Sequence, residues 1–219
     1  MCGRYTLHTK TKALEASIRL ALPDEYAPDY NIGPGREALA VVNRSKTTKA
    51  ASMMHWGLKT PQNFHINARI ETADTTPRFR DSWHGQRCLL PADGFYEWYR
   101  DGIRKQAYYI FPKVAAPVFL AGLWFSSSNS EYPANFVILT TEARSPVSEI
   151  HARMPVIFEQ DAGFCWLDHG ISKQEAQSVA GEINLEHHAV SSRVNSVANK
   201  DSRLIEAISP LTDDQLQLF

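Results

Sequence analysis

The chain has 219 residues, 43% of them hydrophobic, enough to bury the core of one compact domain spanning 1–219. Its 23 Lys and Arg against 24 Asp and Glu leave a net charge of −1, which excludes a generally basic nucleic-acid coat and confines any polyanion site to a local cleft. The longest apolar run, Val118 to Phe125, falls far short of the ~18–20 residues of a membrane span, and the N-terminus shows no signal pattern, so a soluble, cytoplasmic protein is expected.

In chain order, a short strand from Gly3 to Leu7 precedes a helix capped by Thr9 or Thr11, with Leu14, Ile18 and Leu22 on one face and an end at Pro23. Pro23, Pro28 and Pro34-Gly35 mark an irregular stretch before strands Ala38 to Val42 and Ala51 to Trp56. Phe95 to Tyr99, then Asp101-Gly102, then Gln106 to Phe111 reads as a tight hairpin, and Val118 to Trp124 and Phe136 to Thr141 read as buried strands. Ser172-Lys173-Gln174-Glu175 is a capping box opening a helix to about Ile183, and Ser202 to Ile208 predicts a short helical segment. The total is α+β: an antiparallel, barrel-like β core flanked by helices.

Five segments have chemical potential. Removal of Met1 from Met1-Cys2-Gly3 leaves an N-terminal cysteine, whose α-amine titrates near ~7.7–8.0 and whose thiol titrates near ~8.5. Such a 1,2-aminothiol condenses with an aldehyde to an imine and closes to a thiazolidine; it could equally attack an amide. Asn67-Ala68-Arg69-Ile70-Glu71-Thr72 is either a turn in which Asn67 bonds its own backbone or a site where Asn67 holds an amine and Arg69 a phosphate. In Phe95-Tyr96-Glu97-Trp98, strand alternation sends Glu97 to the face opposite its aromatic neighbours, toward solvent or a site. His151-Ala152-Arg153-Met154-Pro155 puts a proton-transfer group and a phosphate fork two residues apart, in a segment that Pro155 biases toward extension. Trp56 is core by default, but lining a groove it would stack on an unpaired base. Cys88 is expected to be a buried small hydrophobe. The three scattered cysteines and the remaining histidines lack metal-ligand spacing, so no metal or cofactor is expected.

Taken together these segments resemble the SOS response-associated peptidase (SRAP) family. The matching pieces are Cys2-Gly3-Arg4-Tyr5, Tyr30-Asn31-Ile32 with Pro34, Trp56-Gly57-Leu58, Asn67-Ala68-Arg69 with Glu71-Thr72, Arg87-Cys88-Leu89 through Glu97-Trp98, Leu139-Thr140-Thr141, His151 to Val156, and Val194-Asn195. The resemblance implies a monomeric sensor of abasic sites in single-stranded DNA, nucleoid-associated when on DNA in a bacterium, that crosslinks covalently through Cys2. It also implies that Asn67, Glu97 and His151 complete the catalytic set and that Arg69 and Arg153, with Arg4, contact phosphate. The interval between Leu58 and Asn67 is shorter than is usual for the family. Competing readings are a peptidase or amidohydrolase with an N-terminal cysteine nucleophile, and a non-catalytic nucleic-acid binding module.

Overall fold

The computed structural model describes residues 2–45, 47–102, 104–113, 117–126, 134–180 and 182–209; Met1, whose removal the aminothiol chemistry requires, lies outside them. Strands Glu37–Asn43, Lys49–Trp56, Asn135–Glu142, Val118–Phe125 and Arg87–Ala92 pair in that order, and the last returns to the first. This ring is the barrel that the sequence predicts. All residues from Val118 to Leu123 are buried, as an apolar run demands when both of its faces are covered. Helices Pro77–Gly85 and Gln160–Leu167 pack against that strand from outside.

The expectation of a purely antiparallel core is corrected at one strand. Asn135–Glu142 runs parallel both to Lys49–Trp56, through Asn135 and Phe136, and to Asn67–Arg69, through Ile138 to Thr140. Lys49–Trp56 ends where Asn67–Arg69 takes over, so the two short pairings share one edge and one direction. No hairpin turn joins either of them to Asn135–Glu142, so nothing local enforces reversal.

A second sheet of five strands runs Leu185–Val190, Arg104–Pro112, Gly94–Asp101, Tyr5–Leu7, Asp29–Ile32. Its centre is the predicted hairpin, with Asp101 opposite Arg104 and Gly102 at φ 56°, a conformation that favours glycine. Tyr5 pairs with Phe95, and Tyr96 N–H donates to Arg4 O at 2.9 Å, which ties the N-terminal strand to the strand bearing Glu97.

The helices show where local signals sufficed. Helix Lys173–Val179 has the predicted capping box, with the Ser172 side chain accepting from Glu175 N–H, but it stops short of Ile183. Helix Thr11–Ile18 buries Leu14 and Ile18 and ends at Arg19, which is left-handed at φ 57°, so Leu22 lies beyond it. Thr9 does not cap it: its hydroxyl donates to Asp93 Oδ1 at 2.5 Å. Ser202–Ile205 is a single 3-10 turn. Among the described residues no helix is long and apolar enough to cross a membrane.

Candidate active site

Three separate pieces of backbone converge on Cys2. Parallel pairing with Ile138 fixes Asn67, whose Nδ2 donates to Cys2 O at 2.8 Å. Glu97, on the strand that pairs with Tyr5–Leu7, is 2% exposed, and its charge acts directly on the Cys2 thiol. His151 follows the 3-10 turn Val147–Glu149, and its charge in turn acts on Glu97. Glu97 and His151 line one cleft of about 520 Å³, with Trp98, Arg100, Ile150 and Ala152. The structure thus brings together all four residues of the expected catalytic set.

Their environments differ in ways that matter chemically. Burial pushes the Cys2 thiol up, and the Glu97 carboxylate pushes it further, so the thiol is stored as SH. Burial likewise raises Glu97 above the usual carboxylate range, against nearby positive charge that includes His151. A raised carboxylate beside a raised thiol holds its proton more tightly than either group would in water. His151 Nδ1 accepts from Arg153 N–H at 2.9 Å and lies 3.1 Å from Arg153 O, which ties the ring to the Arg153 backbone. Asn67 Oδ1 is buried and has no hydrogen-bond partner among the described residues, an acceptor beside the Cys2 backbone. Cys88 is fully buried with its thiol raised by burial, the inert small hydrophobe the sequence predicts. No group of three or more metal-ligating side chains occurs among the described residues.

The DNA-contact set is where sequence and structure part. Trp56 is fully buried, with its ring between Tyr5 and Phe136 and its Nε1 donating to Ile66 O at 2.9 Å. No face is open to a base, so the stacking role considered for it is withdrawn: its strand closes the barrel, where an indole gains more by burial. Arg4 donates to Asn31 Oδ1 at 2.7 Å and Val194 O at 2.8 Å, binding the N-terminal strand to the segment 194–199. Arg153 forks onto Glu71 at 2.7 and 2.8 Å and reaches Thr140 O at 2.6 Å. Burial raises Glu71, but hydrogen bonding and charge from Arg153, with the charge of Arg69, outweigh it and hold the carboxyl below its usual range. Both guanidinium groups are committed to protein, and Arg69 alone of the three is exposed, its charge acting on Glu71 without a hydrogen bond or close ion pair among the described residues.

That division predicts a difference in salt dependence. Arg69→Ala is expected to lower the slope of log affinity for single-stranded DNA against log salt by ~0.7, the value of one phosphate contact. Arg4→Ala and Arg153→Ala are expected to leave the slope unchanged while slowing the reaction, because they release Asn31 and the His151 loop. Binding titrations at several salt concentrations check this; a reduced slope in Arg153→Ala would return it to the phosphate contacts.

Sequence reasoning missed Glu71 as the anchor of Arg153, and Asn31 and Asn195 as ties for Arg4 and Trp98. Asn31 Nδ2 donates to Val194, Ser196 and Asn199 carbonyls, and Trp98 Nε1 to Asn195 Oδ1 at 2.9 Å. The signal was present as Tyr30-Asn31-Ile32 and Val194-Asn195 among the matching segments, without a physical reason attached.

A buried cysteine, hydrogen-bonded through its backbone and flanked by a buried glutamate and a histidine on a mixed barrel, is a candidate cysteine site. Residues 1–197 match the family described as SOS response associated peptidase (SRAP), and the chain belongs to that family. It is 35% identical to the abasic site processing protein YoaM of Bacillus subtilis, over 94% of this chain and 98% of the relative. It is 29% identical to the abasic site processing protein YedK of Escherichia coli, over 95% and 100%. A crystal structure of a Bacteroides thetaiotaomicron protein superposes with a TM-score of 0.77 at 20% identity, covering 95% of this chain and 100% of that one, and shows the shared fold.

Proposed function

We propose that the protein captures abasic sites in single-stranded DNA by covalent attachment through Cys2. The observation that carries the reading is the Cys2 backbone held by Asn67 against a buried Glu97 in the cleft that His151 lines. The names of the relatives agree with it: both are abasic site processing proteins.

Loss of Met1 frees the Cys2 α-amine. The open form of an abasic deoxyribose presents an aldehyde, and the amine adds to its carbonyl carbon to give a carbinolamine. Asn67 Oδ1 accepts from the amine and orients its lone pair, a positioning contribution. His151 delivers a proton to the departing hydroxyl and is reprotonated by the proton that the carbinolamine nitrogen gives up, so water leaves and a C=N bond remains. Cys2 Sγ then bonds to the imine carbon, and its proton passes by way of Glu97 to the nitrogen, closing a five-membered thiazolidine. One water is released and nothing is oxidised or reduced. The ring removes the imine from the β-elimination route that would cut the strand.

Incubation with an oligonucleotide carrying one abasic site, resolved on a denaturing gel with intact mass, tests the reading. The expected product is a heat-stable adduct of protein lacking Met1 plus oligonucleotide minus one water, absent from Cys2→Ala. Processed protein that gives no adduct, or Cys2→Ala that gives a heat-stable one, overturns it, and turnover of a peptide or amide would then be tested.

A further inference from the structure

Arg4 and Arg153 are committed to protein, yet the cleft has a cation of its own. Arg100 lines it together with Glu97, Trp98, Ile150, His151 and Ala152. It is exposed, and its guanidinium has no hydrogen bond or ion pair among the described residues. A single exposed arginine is ordinary on a protein surface. Two features set this one apart.

First, its place is fixed. Along Gly94–Asp101, Trp98 and Arg100 alternate to the same side. Trp98 is anchored by its Nε1 bond to Asn195 Oδ1 at 2.9 Å and carries Lys105 Nζ 5.5 Å from its ring centre. Lys105 is in turn the cross-strand partner of Arg100, so two exposed cations stand on paired strands beside the cleft. Second, the interior suits an anion. Glu97 is the one carboxyl among the described residues that line it, and burial disfavours its charge. The volume, about 520 Å³, falls within the ~300–1,000 Å³ of small-molecule sites, so a ligand of a few carbons and one phosphate fits without a strand attached.

We infer that the cleft also captures free phosphorylated aldoses, with Arg100 as the anchor of the phosphate and the Cys2 aminothiol as the trap for the aldehyde. The inference rests on the proposed function, since it uses the same trap. In the open form of such a sugar the carbonyl and the phosphate lie at opposite ends. Glu97 and Arg100 are three residues apart on an extended strand, ~10 Å, a span that the sugar and the arginine side chain bridge together. A guanidinium meets a phosphate in a forked, charge-assisted pair. The α-amine adds to the carbonyl carbon, its oxygen leaves as water, Sγ bonds to the same carbon, and the thiol proton passes to the nitrogen. One C–N and one C–S bond replace the C=O bond, and nothing is oxidised or reduced. A chain so occupied has neither a primary amine nor a thiol for DNA, so sugar phosphate and lesion compete for one site.

Intact mass of the chain lacking Met1 measures the rate of adduct formation with deoxyribose 5-phosphate and with deoxyribose, and a peptide of the sequence Cys2-Gly3-Arg4-Tyr5 supplies the reference. The peptide reports how much more open aldehyde one sugar presents than the other, and the protein's preference is taken relative to it. The expected product is protein plus sugar minus one water, absent from Cys2→Ala. Wild type is expected to prefer the phosphate ester by about 10- to 100-fold beyond the peptide, the worth of a charge-assisted hydrogen bond. Arg100→Gln is expected to bring that preference down to the peptide's, and Arg100→Lys to retain part of it; both change an exposed side chain and leave the core alone. Wild type first loaded with the sugar phosphate is expected to form no adduct with the abasic oligonucleotide. No preference beyond the peptide's in wild type, the wild-type preference kept in Arg100→Gln, or full crosslinking by loaded protein overturns the inference. An unloaded wild-type chain lacking Met1 that forms no heat-stable adduct with the abasic oligonucleotide overturns the proposed function itself, a result read in a separate arm.

Discussion

Replacing Glu97 by glutamine is expected to slow thiazolidine formation by about 10²–10⁴-fold, the contribution of a positioned proton carrier, and at the same time to raise the melting temperature at neutral pH. The two effects share a cause. Glu97 is 2% exposed, and burial raises its carboxyl above the usual range. Between the unfolded-state value near ~4.3 and that raised value, the folded chain binds more protons than the unfolded one, so stability falls as pH rises. Below the lower value the carboxyl is protonated in both states and a glutamine gains nothing. The stabilisation of Glu97→Gln should therefore be absent near pH 4 and grow toward neutrality, at about 2–4 °C for each kcal/mol in a chain of this size. Thermal melts of both proteins across that range check the stability arm. For the chemical arm, borohydride should still trap an imine in Glu97→Gln, because addition of the amine does not need this carboxylate, while the heat-stable ring fails to accumulate. Ring closure at the wild-type rate would remove Glu97 from the proton path. A melting difference independent of pH would show that burial of its charge is not what the site costs.

The placement of the residues expected to be catalytic was partly legible in the sequence, from local signatures and from the family resemblance. Alternation along Phe95 to Trp98 predicted that Glu97 faces away from its aromatic neighbours, and Pro155 predicted the extended segment that holds Arg153; the fold places Glu97 and His151 in one cleft. The hairpin with Asp101-Gly102 and the Ser172 capping box were legible for the same reason. The illegible features depend on distant partners. Arg153 reads as a free phosphate fork until Glu71, 82 residues away, appears beside it, and Arg4 is engaged by a carbonyl 190 residues away. Trp56 ends a strand whose other residues are mostly half-buried, so nothing local distinguished an indole in the barrel from one lining a groove. The helix Pro77–Gly85 did have a signal, proline at its first turn, but the polar residues around it obscure the apolar face formed by Phe79 and Trp83.

A second large effect is expected far from the chemistry. Arg87 begins the barrel strand that continues toward Glu97, and it is 8% exposed. Its guanidinium lies 4.9 Å from the ring of Trp83 and 4.1 Å from that of Trp166, two indoles that themselves meet edge to face at 5.3 Å, so it packs against the corner where the two helices that cover the barrel meet. Nε donates to Trp83 O at 3.2 Å, and Nη1 to Trp166 O at 3.3 Å and Ile171 O at 3.4 Å. It has no ion-pair partner among the described residues, and burial lowers its pKa to about 10, still a full cation at neutral pH. Aromatic faces and carbonyl oxygens therefore do the work of a counter-ion. Arg87→Ala removes the cation packed against both indoles and leaves three carbonyls, two of them at buried bonds, without their donor, at an expected cost of about 3–5 kcal/mol. Arg87→Lys keeps the charge but presents a compact point donor that cannot contact both rings and reach all three acceptors at once, and about 2 kcal/mol is expected to be lost by the same reasoning. Urea midpoints for both variants, at unchanged slope, measure these costs. If Arg87→Lys unfolds at the wild-type midpoint, charge alone holds the two helices to the barrel, and the guanidinium's several contacts are incidental; if it falls between wild type and Arg87→Ala, the guanidinium's reach to both rings and three carbonyls is what joins the helices to the strand that leads to the site.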